Sequence, residues 1–265
     1  MFVQNRTIVV TGAGSGIGRE LVFVLLSKGA RVAAIDVNPE TLAETTHIAA
    51  ATAEQLKGYP LDITHRTAVN ETVQQIITDF GSVQGLINNA GIIQPFIPVA
   101  SLEEHSIRRV MEVNFYGTLN LTQALLPHLM EQPEGHIVNI SSMGGFLPVP
   151  GQSVYGASKA AVKLLTEGLF AELADTSVRV SVVFPGAVAT NIVANSGLTA
   201  PSSADSGKHS ALPAHEAAQI IINGMEQNRF RILVGKDASF LDKLYRFAPK
   251  YATNFIRKKM SGLLR

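Results

Sequence analysis

The chain has 265 residues, 46% hydrophobic and 16% charged, enough apolar material for a large core and too little charge for a disordered chain. A formal net charge of +1 gives no global excess that would draw nucleic acid, and the absence of cysteine excludes disulfides and thiol catalysis. Met1 to Val10 holds no apolar run of the signal-peptide kind and Leu21–Leu26 is far too short to span a bilayer, so a cytoplasmic protein is expected.

In chain order, Thr7–Val10 reads as a strand, followed by a glycine loop and a helix through Ser27. Arg31–Asp36 is the next strand and Glu40–Ala51 the next helix. Tyr59–Leu61 ends a third strand, and Ala68–Phe80 has Val69, Val73, Ile76, Ile77 and Phe80 on one helical stripe. Gly85–Asn88 and His136–Ile140 are further strands, Val154–Leu173 a long helix, and Val178–Phe184 a strand that stops at Pro185. This alternation predicts an α/β fold of the Rossmann type, a doubly wound parallel sheet with helices on both faces. Residues 1–235 are expected to form one catalytic domain and 236–265 a basic amphipathic tail. Asn195–Ser210, rich in Ser, Gly, Ala and Pro, has no apolar period and is expected to be a substrate lid loop.

After the first strand comes Thr11-Gly12-Ala13-Gly14-Ser15-Gly16-Ile17-Gly18. A strand, a glycine-rich turn and a helix start gather backbone N–H groups around an anion, and glycine lets phosphates approach without a Cβ in the way. No Gly-Lys-Ser/Thr follows, so this is not a nucleoside-triphosphate loop, and no phosphate lysine or metal carboxylates point to a kinase. Asp36 ends the second strand, 18 residues after Gly18. A carboxylate there can accept hydrogen bonds from the adenosine ribose and would repel the 2′-phosphate of NADP, with Val37 supplying no compensating arginine. The seven histidines form no tight ligand pair, so no metal site is expected.

Further on come Asn88-Asn89-Ala90-Gly91, Asn114, Asn139-Ile140-Ser141-Ser142, Tyr155-Gly156-Ala157-Ser158-Lys159 and Pro185-Gly186. Together with Thr11–Gly18 this ordered set, from about Thr7 to Thr190, resembles the short-chain dehydrogenase/reductase family in its single-domain branch. The resemblance implies that Gly12, Ser15, Gly16, Ile17 and Gly18 shape a pyrophosphate turn, that Asp36 holds the ribose, and that Asp62 and Ile63 contact adenine. It implies that Asn89, Ala90 and Gly91 flank the ribose, and that Pro185, Gly186, Val188 and Thr190 hold the nicotinamide carboxamide. Asn114, Ser142, Tyr155 and Lys159 are the implied catalytic set, with Ser142 preferred to Ser141 because it lies at the family's spacing of 13 residues before Tyr155. Lys159 is also implied to bond the nicotinamide ribose, and Asn114 to order a water in a proton relay. A homodimer or homotetramer, paired through the helix at Val154–Leu173 and the one at Asn114–Leu126, is implied as well.

The chemistry suits these residue types. A free tyrosine, with a pKa of about 10, is a poor base at neutral pH, and a nearby ammonium stabilises its phenolate. Tyr155 and Lys159, at i and i+4, share one helix face. A serine hydroxyl can stabilise charge on a substrate oxygen. The expected activity is NAD-dependent interconversion of an alcohol, secondary and lipophilic, with its carbonyl. The lipophilic preference rests on Phe146, Leu147, Pro148, Val149, Ile192, Val193 and Leu198 around the lid. Two alternatives stand beside it: an NADPH-dependent ketoacyl-type reductase, which Asp36 opposes, and a non-catalytic dinucleotide sensor, which the complete Tyr155–Lys159 set opposes.

From Lys236 onward there are eight basic and two acidic residues, a net +6 against −5 for the chain before it. Phe240, Leu241, Leu244, Tyr245, Tyr251, Phe255 and Ile256 recur there at helical spacing, with Pro249 expected to kink or split the helix. Two readings are open for this tail: its stripe packs on the protein itself, or it makes peripheral contact with a membrane.

Overall fold

The computed structural model describes residues 1–198 and 211–260. Seven parallel strands form one sheet: β1 (Thr7–Thr11), β2 (Arg31–Asp36), β3 (Leu56–Pro60), β4 (Gly85–Asn88), β5 (Gly135–Ile140), β6 (Val178–Pro185) and β9 (Arg231–Val234), in the order β3-β2-β1-β4-β5-β6-β9. A two-stranded parallel pair, β7 (Val188–Ala189) and β8 (Leu212–Pro213), lies beside it. The fold is the expected doubly wound α/β architecture.

Strand periodicity divides the core into two layers. Ile8 and Val10 of β1 turn to one face and pack with Leu21 and Leu25 of α1 (Gly16–Ser27), Leu42 of α2 (Pro39–Ala49) and Ile221 of α8 (Ala214–Glu226). Val9 turns to the other, with Val73 of α3 (Arg66–Phe80), Leu125 of α5 (Thr118–Met130) and Leu169 of α6 (Ser153–Glu172). Every residue of β1, β4 and β5 is buried, as expected of strands covered on both faces.

Local signals set the element ends. Asn38 caps α2 by accepting from the backbone N–H of Glu40 (2.9 Å) and Thr41 (3.1 Å), with Pro39 in the first turn, where its missing N–H costs nothing. Between α4 (Glu104–Met111) and α5 the helix widens into a π-helical turn over Glu112–Gly117, with Asn114 inside it. The chain runs outward from β1 through β2 to β3 on one side, then crosses back to β4 on the other side of β1. The crevice at the carboxyl ends of β1 and β4 is therefore the topological switch point where such sheets bind ligands.

The tail forms two helices, α9 (Lys236–Phe247) and α10 (Pro249–Lys259), broken at Ala248–Pro249. Their inner stripe, with Leu241, Ala252 and Ile256 buried, makes a third small core with Leu147. Phe146 packs edge-on to Phe184 of β6 and against Tyr245 of α9. This corrects one expectation: Phe146 and Leu147 do not wall a substrate cavity but sit under the tail. Of the expected lid, residues 199–210 lie outside the described residues; its start is ordered, with α7 (Ile192–Asn195) running into Leu198.

Candidate active site

A cleft of about 580 Å³ opens over the switch point, lined by the turn after β1, the end of β2, the segment after β4, β5, α6 and the end of β6 with the segment that follows it. On its floor is the turn from β1 into α1. Gly12 (φ +67°) and Gly16 (φ +52°) occupy the left-handed region that favours glycine. A Cβ on Gly12 would stand 2.9 Å from Asn89 Nδ2, and one on Gly18 would collide with the carbonyl of Gly12. Asn89 fixes this contact by donating to the Thr11 carbonyl at 2.9 Å, while Thr11 Oγ1 accepts the backbone N–H of Asn89 and of Ala90, each at 3.0 Å. The first turn of α1 contains no acid, and Ser15, its N-cap, makes no side-chain cap. The amides at the helix start therefore remain available to an anion.

Asp36 stands at the neighbouring edge. Its carboxylate accepts from the backbone N–H of Gly14 (2.8 Å) and of Asn38 (2.9 Å), which aims it into the cleft. The resemblance assigns no role to Gly14 of the glycine turn, yet a Cβ there would stand 2.9 Å from Asp36 Oδ2. Val37 is 67% exposed. Asp62 accepts from Thr64 N–H (2.9 Å) and Thr64 Oγ1 (2.8 Å), and that turn presents Ile63 to the cleft.

Tyr155 and Lys159 project from α6 into the deep end. Lys159 Nζ donates to the carbonyl of Ile140 at 3.0 Å, and burial lowers its pKa to about 8. Burial raises the pKa of the Tyr155 phenol, and a hydrogen bond with Ser142 works against that rise. The two adjacent serines differ in use. Ser141 Oγ is buried and donates to the Lys159 carbonyl at 2.7 Å, whereas Ser142 faces the cleft and accepts from Gly144 N–H at 3.0 Å. Asn114 is fully buried; its amide exchanges two hydrogen bonds with the backbone of Ile92 (2.8 and 2.9 Å) and donates to Ser158 Oγ at 2.9 Å. A Cβ on Gly91 would lie 3.1 Å from Lys159 Nζ and 3.2 Å from Asn114 Oδ1, so glycine there lets the two side chains converge.

The loop after β6 closes the other wall. Pro185, Gly186, Val188 and Thr190 all line the cleft. A Cβ on Gly16 would lie 3.3 Å from Thr190 Cβ, and Asn195 Nδ2 donates to Ser15 Oγ at 2.7 Å, so this wall reaches back to the phosphate turn. The residues that the sequence assigned to cofactor binding and catalysis thus gather around one cleft or support its walls.

Two supporting residues escaped the sequence reading. Gln94 is buried, and its side-chain oxygen accepts from Val154 N–H (2.8 Å) and Tyr155 N–H (3.0 Å) at the start of α6. Its amide nitrogen donates to the Gly151 carbonyl at 2.9 Å. Asp237, in the first turn of α9, accepts from Ala187 N–H at 2.8 Å, and a Cβ on Gly186 would run into its carboxylate. Neither leaves a sequence signal, because each acts through a backbone distant in sequence.

The family model for short-chain dehydrogenases matches residues 6–200. The chain belongs to the short-chain dehydrogenase family. It is therefore an oxidoreductase by family. It is similar to SadH, a Mycobacterium tuberculosis protein named as an oxidoreductase, with 38% identity covering 92% of this chain and 91% of the relative. It also resembles a short-chain dehydrogenase from Burkholderia phymatum solved with NAD (TM-score 0.85, 26% identity, 95% and 96% of the two chains). A short-chain dehydrogenase from Burkholderia cenocepacia, solved with NADP, is similar too (TM-score 0.81, 28% identity, 97% and 99% covered). Among the described residues no helix is long and apolar enough to cross a membrane, and no group of three or more His, Asp or Glu could hold a metal.

The cleft fits an extended dinucleotide. It is glycine-lined where a diphosphate would need close backbone approach, and it carries a fixed carboxylate at one end and half-buried Tyr155 with buried Lys159 at the other.

Proposed function

We propose that this dehydrogenase is NAD(H)-linked and interconverts a lipophilic secondary alcohol with its ketone, with Tyr155 as the acid/base. The observation that carries the reading is the convergence of Ser142, Tyr155 and Lys159 in the cleft that Asp36 also borders. When bound, the dinucleotide supplies the hydride acceptor or donor. Toward oxidation, the Tyr155 phenolate takes the proton from the alcohol oxygen; toward reduction, the phenol returns it. The Ser142 hydroxyl holds that oxygen and stabilises its developing charge. The Lys159 ammonium favours the phenolate, and Asn114 holds the Ile92 backbone and Ser158 in place beside it.

NAD over NADP is supported by Asp36, since a 2′-phosphate beside a carboxylate is a like-charge contact. Arg19, which reaches the Gly14 carbonyl beside Asp36, is also engaged by Thr45 and Glu44. The apolar walls at Ile92 and Ile192 support a lipophilic substrate. A dimer or tetramer through α5 and α6 belongs to the same reading, and Leu164 (68% exposed) and Phe170 on α6 suit such a contact.

The test is a panel of secondary alcohols and ketones followed by NADH and NADPH absorbance. Turnover with NAD(H) preferred is expected, and Asp36→Ala should narrow that preference by about tenfold, or about 1.4 kcal/mol. A wild-type preference for NADP(H) would overturn the cofactor assignment. Turnover unaffected by Tyr155→Phe would overturn the mechanism.

A further inference from the structure

The tail helices have two unlike faces. The inner stripe is spent on the small core around Leu147. The outer side keeps three large rings in solvent: Phe240 at 57%, Phe247 at 89% and Tyr251 at 63% exposure. Between and beyond them lie exposed Lys243, Arg246, Lys250 and Arg257. The only two acids of α9 and α10 are turned away: Asp237 accepts from Ala187, and buried Asp242 pairs with Arg231 (2.8 Å) and Arg246 (3.3 Å). Asp242 is buried, and Asp237, only partly exposed, is held to the Ala187 N–H.

The combination narrows what can cover this face. Solvent alone does not account for three large exposed rings on one helix pair. A second copy laid face to face would set cations against cations. A surface that is negative at its boundary and apolar just beneath complements both features: cations meet headgroups while Phe247 and Tyr251 enter the boundary between headgroup and acyl chain. We propose that the outer face of α9–α10 docks on the surface of an anionic phospholipid bilayer.

The inner side of the same layer meets Met143 and Phe146, next to Ser142, and Asp237 ties α9 to the Pro185–Ala187 wall. Docking would therefore seat the lipid surface one helix layer from the cleft. The binding itself does not depend on the proposed reaction.

The experiment is co-sedimentation of the full chain with phosphatidylcholine vesicles, with and without phosphatidylglycerol, at low and high salt. Sedimentation is expected only with phosphatidylglycerol present, and release at high salt. A basic residue held near an anionic surface is worth about fivefold in partitioning, so Lys243→Glu with Lys250→Glu should weaken binding by about 25-fold or more. Phe247→Ser with Tyr251→Ser should weaken it by about fivefold or more while the salt response persists. All four positions are exposed, so the fold should survive; circular dichroism verifies this, and the salt response of the unaltered protein needs no variant. The proposal is overturned by no sedimentation at low salt, by equal binding to neutral vesicles, or by binding that survives the charge reversal. Self-association lost on charge reversal, without lipid binding, would assign the face to a second copy and also overturn it.

Discussion

The side-chain oxygen of Gln94 accepts the backbone N–H of Tyr155 at 3.0 Å, and that of Val154 at 2.8 Å. A buried loop glutamine thereby caps the helix that carries the proposed acid/base, while Gln152, the residue at its N-cap, makes no side-chain cap. Helix starts leave their first N–H groups unpaired, and burying them unpaired costs about 1–3 kcal/mol. Gln94→Leu should therefore lower stability by that order and reduce kcat, with little change in the dissociation constant for NADH. Gln94→Glu keeps the acceptor and loses the donor to Gly151, so it should recover part of the stability. Denaturant unfolding together with kcat and KM checks this; a Gln94→Leu protein with normal kcat would leave the residue no positioning role.

A second cross-chain contact joins Asp237 to the loop at Gly186 and Ala187. Asp237→Ala removes a charge-assisted bond to Ala187 N–H and should weaken NADH binding by about tenfold, near the lower end of the roughly 1.5–3 kcal/mol such bonds carry. Gly186→Ala forces a methyl into the Asp237 carboxylate and should be worse. The double variant relieves that collision and should bind better than Gly186→Ala alone. NADH fluorescence titration measures all three, and simple additivity would show that the two residues are not coupled.

The raised pKa of Tyr155 keeps its phenol protonated at neutral pH, which suits reduction, whereas oxidation draws on the phenolate. Alcohol oxidation (kcat/KM) should thus rise with pH where ketone reduction falls. Tyr155→Phe should lower both by roughly 10²–10⁴-fold and abolish the opposed slopes. Parallel pH profiles in the two directions would argue against this assignment.

His136 governs a different pH response. It is buried in β5, with Nε2 2.9 Å from Ser181 Oγ and Nδ1 unpartnered. The Ser181 proton goes to the Arg229 carbonyl, so the histidine is the donor of that pair. Burial above all, then the N-terminal charge and Arg179, lowers its pKa from 6.5 to about 3. The neutral ring therefore contributes stability that is fully present above pH 6.5 and lost as pH falls toward about 3. Each unit in that window should cost about 1.4 kcal/mol. Denaturant unfolding at pH 7, 5 and 4 should show a shallower loss for His136→Leu than for the unaltered chain. Equal slopes would mean that His136 does not drive the acid response.

The sequence by itself determined the sheet, the helices and the glycine turn, because these follow from local rules. Apolar periodicity places Val73 and Ile76 inside, and proline split the tail at Pro249 as read. It also marked Tyr155 and Lys159 as neighbours, since four residues apart on a helix means one face. Only the tertiary structure decided contacts between segments far apart in the chain. Those include Gln94 on Tyr155, Asp237 on Ala187, and Gly14 against Asp36. It also moved Phe146 and Leu147 from an expected lid to a seat beneath the tail. Apolar character shows that a side chain will be covered, but what covers it depends on the path of the backbone. For the same reason, tail composition left the self-packing and membrane readings open. The fold divided its residues between an inner apolar stripe and an outer cationic, aromatic face.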